Sequence, residues 1–161
     1  MIYSIPEHSV VLLEELIVNL KKNSEDLPKS QDLISRNQHR ITPNTEHEYY
    51  DITNEDTNKK LANILGIENT TPITIHTLTY KQGAVLNKHR DTNSADTFVI
   101  ILEDDFEGGL FYLNEKPTQF KKRGDVARYH GDIEFHSITP ITKGTRKVLV
   151  VWYPDIKEKL I

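Results

Sequence analysis

The chain has 161 residues, 37% hydrophobic and 27% charged, with a formal net charge of -4. That length is most simply a single domain over residues 1–161 with room for a core and a buried pocket, and the mild acidity gives no general attraction for nucleic acid or an anionic membrane. There is no cysteine, which excludes disulfide frameworks, thiolate metal sites and cysteine nucleophiles; with no signal-peptide pattern and no run near the ~20 apolar residues of a membrane span, a cytoplasmic protein is expected.

Ser4-Ile5-Pro6-Glu7 has the form of a capping box. Val10, Leu13, Leu16, Ile17 and Leu20 then recur at helical spacing, which predicts a helix to about Lys22. Asn23 to Glu46 is polar, carries Pro28 and Pro43, and reads as a long loop or lid. Thr53, with Asp56 behind it, predicts the cap of a second helix whose apolar face is Leu61, Ile64 and Leu65 and whose stop is Gly66.

From Pro72 the texture changes to short β-rich runs separated by turn residues. The runs are Ile73–Tyr80, Ala84–His89, Thr97–Leu102, Leu110–Leu113, Thr118–Phe120, Asp125–His130, Glu134–Ile141 and Lys147–Tyr153. Such spacing predicts a β-sandwich or barrel. The chain thus divides into a helical and loop part at about 1–71 and a β core at about 72–154, a mainly β (α+β) class with helices covering one face. The basic clusters Lys121-Lys122-Arg123 and Lys143 to Lys147 read as solvated turns.

His89-Arg90-Asp91 is the first chemical signal. Residues two apart on a strand point the same way, so one strand end can offer an imidazole and a carboxylate to one ion. His136 is the best candidate for a third ligand. Two His and one carboxylate are the ligand set of a non-haem Fe(II) oxygenase with open positions. A rival exists in His130-Gly131-Asp132, close before His136, although Gly131 marks a turn. His76 reads as a hydrogen-bonded core or pocket-wall residue. His8, His39 and His47 read as surface residues, with His47, Tyr49 and Tyr50 also placed to meet a substrate.

Arg146 lies in an apolar run ending in Val148-Leu149-Val150-Val151-Trp152. A guanidinium there is expensive to bury without a carboxylate to hold. That carboxylate belongs either to the protein or to a dicarboxylic ligand, and the Tyr80 hydroxyl can donate to the same group.

Several stretches extend this pattern: Tyr80-Lys81-Gln82-Gly83, His89-Arg90-Asp91, Glu107-Gly108-Gly109-Leu110-Phe111, Arg123-Gly124-Asp125-Val126, His136 to Ile141, Gly144-Thr145-Arg146 and Val151-Trp152-Tyr153. In this order and spacing the run from about Thr79 to Tyr153 resembles the Fe(II)/2-oxoglutarate-dependent dioxygenase superfamily, particularly its prolyl 4-hydroxylase-like branch. Collagen-type members carry Lys where this chain has Arg146; Arg is closer to the oxygen-sensing and bacterial prolyl hydroxylases.

The resemblance implies a double-stranded β-helix, a jelly roll of about eight strands. It implies Fe(II) held by His89, Asp91 and His136, and 2-oxoglutarate held by Arg146 and Tyr80. Val99 and Ile101 would line the pocket. O2 is the other co-substrate and ascorbate an optional accessory reductant. The implied reaction is hydroxylation of an unactivated C–H with release of succinate and CO2, most simply at a prolyl residue of a peptide or protein. That peptide would lie under residues 23–51 and beside the loop 91–96. The alternatives are a free amino acid, another small molecule or a nucleobase as substrate, a cupin-like metal enzyme, and a non-catalytic jelly-roll binding module. A nucleic-acid partner is disfavoured by the net acidity, and no membrane partner is expected.

Overall fold

The structure, a computed structural model, describes residues 1–20, 44–91 and 96–154. Its elements in chain order are β1 (Ile2–Ser4), α1 (Glu7–Asn19), β2 (Thr45–Tyr50), α2 (Glu55–Leu65), β3 (Thr74–Tyr80), β4 (Leu86–His89), β5 (Asp96–Glu103), β6 (Phe106–Gly108), β7 (Phe111–Leu113), β8 (Lys116–Pro117), β9 (Asp125–Tyr129), β10 (His136–Ile138), β11 (Ile141–Gly144) and β12 (Arg146–Tyr153). A six-stranded sheet runs β1-β9-β5-β12-β3-β2 and faces a four-stranded sheet, β4-β10-β7-β8; a short pair, β11-β6, extends the structure. All pairings are antiparallel.

The large sheet is buried on both faces, which explains its unbroken apolar runs. Alternate residues of β3, β5 and β12 supply two cores. Leu78, Val99, Ile101, Val148, Val150 and Trp152 face the small sheet and meet Phe111, Phe120 and Ile138. Ile75, Phe98, Ile100, Leu149, Val151 and Tyr153 face the other way, onto Val10 and Leu13 of α1 and Leu61 and Leu65 of α2. Burying side chains of this size stabilises by roughly 1.5–3 kcal/mol each. The two helices therefore back one face of the sheet and leave the other to form a pocket.

Several local expectations are corrected. Ser4 does not cap α1; it ends β1, opposite Asp125. The helix starts at Glu7 after Pro6, without a side-chain cap. The Glu7 carboxylate is instead taken by Arg123, at 2.8 and 2.9 Å. Arg123 is accordingly not a solvated turn residue. Asn54, not Thr53, caps α2, its side chain accepting from the Thr57 N–H at 3.0 Å, while the Thr53 hydroxyl donates to Asp51. Gly66 does end that helix, in the left-handed region at φ 75°.

Residues 45–50 are strand β2 rather than loop or lid. Their polar residues hid a strand that pairs with β3 along its whole length. The rest of the expected lid, residues 23–43, the expected helix end at 21–22 and the loop residues 92–95 lie outside the described residues. Thr118–Phe120 is not a strand: the Thr118 hydroxyl donates to the Phe111 carbonyl and Phe120 plugs the core. Glu134–Ile141 divides at Thr139-Pro140 into β10 and β11, which belong to different sheets. Among the described residues no helix is long and apolar enough to cross a membrane.

Candidate functional site

β4 and β10 are neighbours in the small sheet, and their register sets His89 directly opposite His136. The imidazole centroids are 4.3 Å apart. Asp91 follows β4 and reaches the same point: its Oδ1 is 3.2 Å from His89 Nε2 and 3.4 Å from His136 Nε2. Ligand atoms of the three residues all lie within 4.8 Å of one another, and this is the only such cluster of three among the described residues. His130 and Asp132 do not join it.

The outer nitrogens fix the tautomers. His89 Nδ1 lies 2.7 Å from the Asn87 carbonyl and His136 Nδ1 lies 3.0 Å from the Glu134 carbonyl. A carbonyl only accepts, so each Nδ1 carries a proton and donates it. In the neutral rings both Nε2 lone pairs then face the Asp91 oxygen. Three electron-rich atoms converging in a buried place need a positive charge between them, a shared proton or a metal ion. Burial alone would raise the Asp91 pKa. With a proton shared from the His136 and His89 nitrogens, hydrogen bonding and charge outweigh burial and hold the carboxyl well below its usual range.

The cavity beside this cluster, with the open solvent at its mouth included, takes in about 630 Å³. Its floor is the inward face of the large sheet, arranged in cross-strand rows. Arg146 stands opposite Tyr80, Val148 between Leu78 and Ile101, Val150 between His76 and Val99, and Trp152 between Thr74 and Thr97. Val99 lines the cavity, whereas Ile101 is buried in the core between the sheets.

Arg146 is 0% exposed, and its Nε, Nη1 and Nη2 have no hydrogen-bond partner among the described residues. Its guanidinium carbon lies 5.2 Å from the Tyr80 ring, 5.6 Å from Phe120 and 6.0 Å from Phe106. Burial presses its pKa down, partly offset by the Tyr80 and Tyr129 phenols. Tyr80, also buried, is pushed up to about 12 and so presents a protonated hydroxyl. An unpaired buried cation on a cavity wall is the complement of an anionic ligand.

The remaining wall is aromatic and neutral. Tyr49 stacks on His76 at 4.8 Å, and His76 meets Trp152 edge-on at 5.5 Å. Burial lowers the pKa of His76 to about 3 and that of His47 to about 4. Of the described lining residues Asp91 is the only carboxylate and Arg146 the only Lys or Arg. The reading of His76 as a pocket-wall residue holds. His47, expected at the surface, is instead on the wall beside Tyr49 through β2. Tyr129, 4.8 Å from His136, was not anticipated; the alternation His47-x-Tyr49 was the available signal for β2.

No family model matches the sequence, and no curated protein matches it. Solved structures do match in fold. A prolyl hydroxylase from Trichoplax adhaerens, in complex with a hypoxia inducible factor oxygen degradation domain peptide fragment, aligns over 99% of this chain and 85% of its own at TM-score 0.63 and 16% identity. A viral collagen prolyl hydroxylase from Paramecium bursaria Chlorella virus-1, in complex with 2-oxoglutarate, aligns over 94% and 93% at TM-score 0.60 and 12% identity. This chain has the jelly-roll fold of these oxygenases. HygX from Streptomyces hygroscopicus, with nickel and 2-oxoglutarate bound, aligns over 94% and 80% at TM-score 0.53 and 10% identity. The double-layered β architecture with two covering helices is thus as expected.

Proposed function

We propose that this chain is an Fe(II)- and 2-oxoglutarate-dependent dioxygenase that hydroxylates an unactivated C–H, with a prolyl residue of a peptide or protein as substrate. The observation that carries this reading is the bare guanidinium of Arg146 on the wall of the cavity that also holds His89, Asp91 and His136. A metal site alone would fit many functions. A metal site sharing a cavity with a buried, unpaired cation fits a ligand that is both chelating and anionic.

In this reading His89, Asp91 and His136 hold the metal by three groups and leave its remaining positions to ligands from the cavity. Iron bound there supplies O2 activation, coupling decarboxylation of 2-oxoglutarate to succinate and CO2 with transfer of an oxygen atom to the substrate. Arg146 takes the far carboxylate of 2-oxoglutarate through paired N–H donors, and the Tyr80 hydroxyl donates to the same group. Leu78, Val148 and Val150 keep water from the co-substrate chain. Asn87 and Glu134 carbonyls hold both imidazoles with Nε2 free for the metal.

The substrate assignment is supported by the neutral aromatic wall of Tyr49, His76 and Trp152, which suits an uncharged ring. A free amino acid would bring an ammonium and a carboxylate, and the described wall offers no second charged pair for them. The fold shared with prolyl hydroxylases points the same way.

The test is an anaerobic titration with Fe(II) and 2-oxoglutarate, read by a weak visible charge-transfer band. The band is expected in the parent and in His130→Ala, and absent in His89→Ala and Asp91→Ala. Iron lost in His130→Ala but kept in His89→Ala would overturn the site. Succinate release and mass spectrometry on a peptide array then test the substrate: oxygen gained only by proline-free peptides removes the prolyl assignment and leaves the reaction class standing.

A further inference from the structure

His130-Gly131-Asp132 supplies no ligand, and Asp132 is exposed, yet this segment is tied to the centre. Residues 130–134 form a tight turn in which the N–H groups of Ile133 and Glu134 donate to the His130 carbonyl, at 3.1 and 2.8 Å. The Glu134 carboxylate closes the turn from the other side. It accepts from the His130 N–H at 2.7 Å and from Asn114 Nδ2 at 3.1 Å.

Two hydrogen bonds run from this turn into the cluster. The Gly131 carbonyl accepts from the Asp91 N–H at 2.7 Å. The Glu134 carbonyl accepts from His136 Nδ1 at 3.0 Å. One short segment thus fixes the backbone that carries the carboxylate and the orientation of an imidazole. It joins groups far apart in sequence.

Space makes a third link. A Cβ on Gly131 would lie 2.5 Å from Asp91 Oδ2 and 2.8 Å from Thr97 Oγ1. Gly131 is not among the glycines with positive φ. Its backbone lies outside the left-handed region that favours glycine, so the demand for glycine there is one of room. The carboxylate rests against a bare α-carbon, and a methyl group must displace it.

We propose that the 130–134 turn is a positioning bracket for the metal centre: Gly131 sets the Asp91 carboxylate by close approach, and Glu134 holds the turn that orients both Asp91 and His136. The bracket rests on the metal reading of the centre. Neither residue touches the metal; both act through ligands. Ligand distances are tolerated only within about 0.2 Å, so a carboxylate pushed aside by a methyl group binds weakly. Loss of an outer support of this kind lowers metal affinity roughly 10–100-fold.

The experiment is anaerobic titration of the full chain with Co(II), a spectroscopic stand-in for Fe(II), alongside thermal unfolding of the metal-free protein. Gly131→Ala is expected to weaken Co(II) binding at least about tenfold and alter its visible bands, with the metal-free melting temperature near the parent's. Asp132→Ala and His130→Ala, which keep the backbone and the space, should bind like the parent. Parent-like Co(II) affinity in Gly131→Ala overturns the bracket. Should that variant fail to fold, Glu134→Ala decides: weaker binding with altered bands supports the bracket, and parent-like binding overturns it. A parent protein that takes up no Co(II) removes the metal reading itself, and the bracket with it.

Discussion

Arg123 and Arg146 show the two faces of the large sheet at work. Arg123 sits behind it, on the helix side, with its donors spent on Glu7, Glu14 and the Leu102 carbonyl, all at 2.7–3.0 Å. Arg146 stands on the cavity side, buried completely, with none of its donors used among the described residues. The first ties α1 to the β8–β9 loop and to β5, and completes the scaffold. The second leaves its charge unanswered by the described fold. Saturation marks structure, and its absence at a buried charge marks a place kept for something else.

The sharpest way to break that contrast is Arg146→Met, which keeps the bulk and removes the charge. If Arg146 is there for a ligand, 2-oxoglutarate affinity measured calorimetrically on the metal-loaded protein falls about 100-fold, the worth of a charge-assisted pair. The unliganded protein meanwhile unfolds at the same or a higher temperature, since an uncompensated buried charge has gone. Lower stability with intact affinity would make Arg146 structural after all.

His76 tests the same contrast through pH. Its folded pKa lies near 3, against 6.5 as its ordinary value. As pH falls below about 6.5 the unfolded chain takes up a proton that the folded chain refuses. The stability is therefore fully present above that pH and declines toward pH 3, by about 1.4 kcal/mol per pH unit for one such group. His47 adds a similar slope down to about pH 4. In urea unfolding at pH 7 and pH 5, His76→Phe should make the loss between the two pH values smaller by up to about 2 kcal/mol. An unchanged difference would mean that His76 is protonated in the fold.

The smallest effect belongs to the saturated side. Arg123→Met should lower the melting temperature by about 2–4 °C, less so in high salt because exposed carboxylates share in the network. Metal and 2-oxoglutarate binding should not change. A large loss of binding would show that the two faces are not independent.

Much of this was legible in the chain. His89 and Asp91 share a face because strands alternate, and Arg146 in an apolar run announces its own predicament. The β-rich runs that form β3, β5 and β12 were equally plain. What escaped detection was decided by tertiary contact. β2 looks like loop because most of its residues are polar, and only its pairing with β3 makes it a strand. Glu7 fits a local capping box in sequence and is held instead by Arg123, distant in the chain. Gly131 looked like an ordinary turn glycine, because the carboxylate it accommodates lies forty positions earlier. Local propensity describes a segment's preferences, and this strand and these two residues are placed by the preferences of their neighbours.

The formal charges facing the cavity carry one further consequence. With both ring Nε2 lone pairs free to take a metal ion, Asp91 and Arg146 are the charges on the described wall, and they cancel. A divalent cation entering alone would leave the cavity doubly positive, and a dicarboxylate entering alone would leave it doubly negative. Together they restore neutrality, and in a low-dielectric space that difference is worth several kcal/mol. Each should therefore raise the affinity for the other by the same factor, as linkage requires. The enclosure would then fill as a pair of opposite charges rather than one guest at a time.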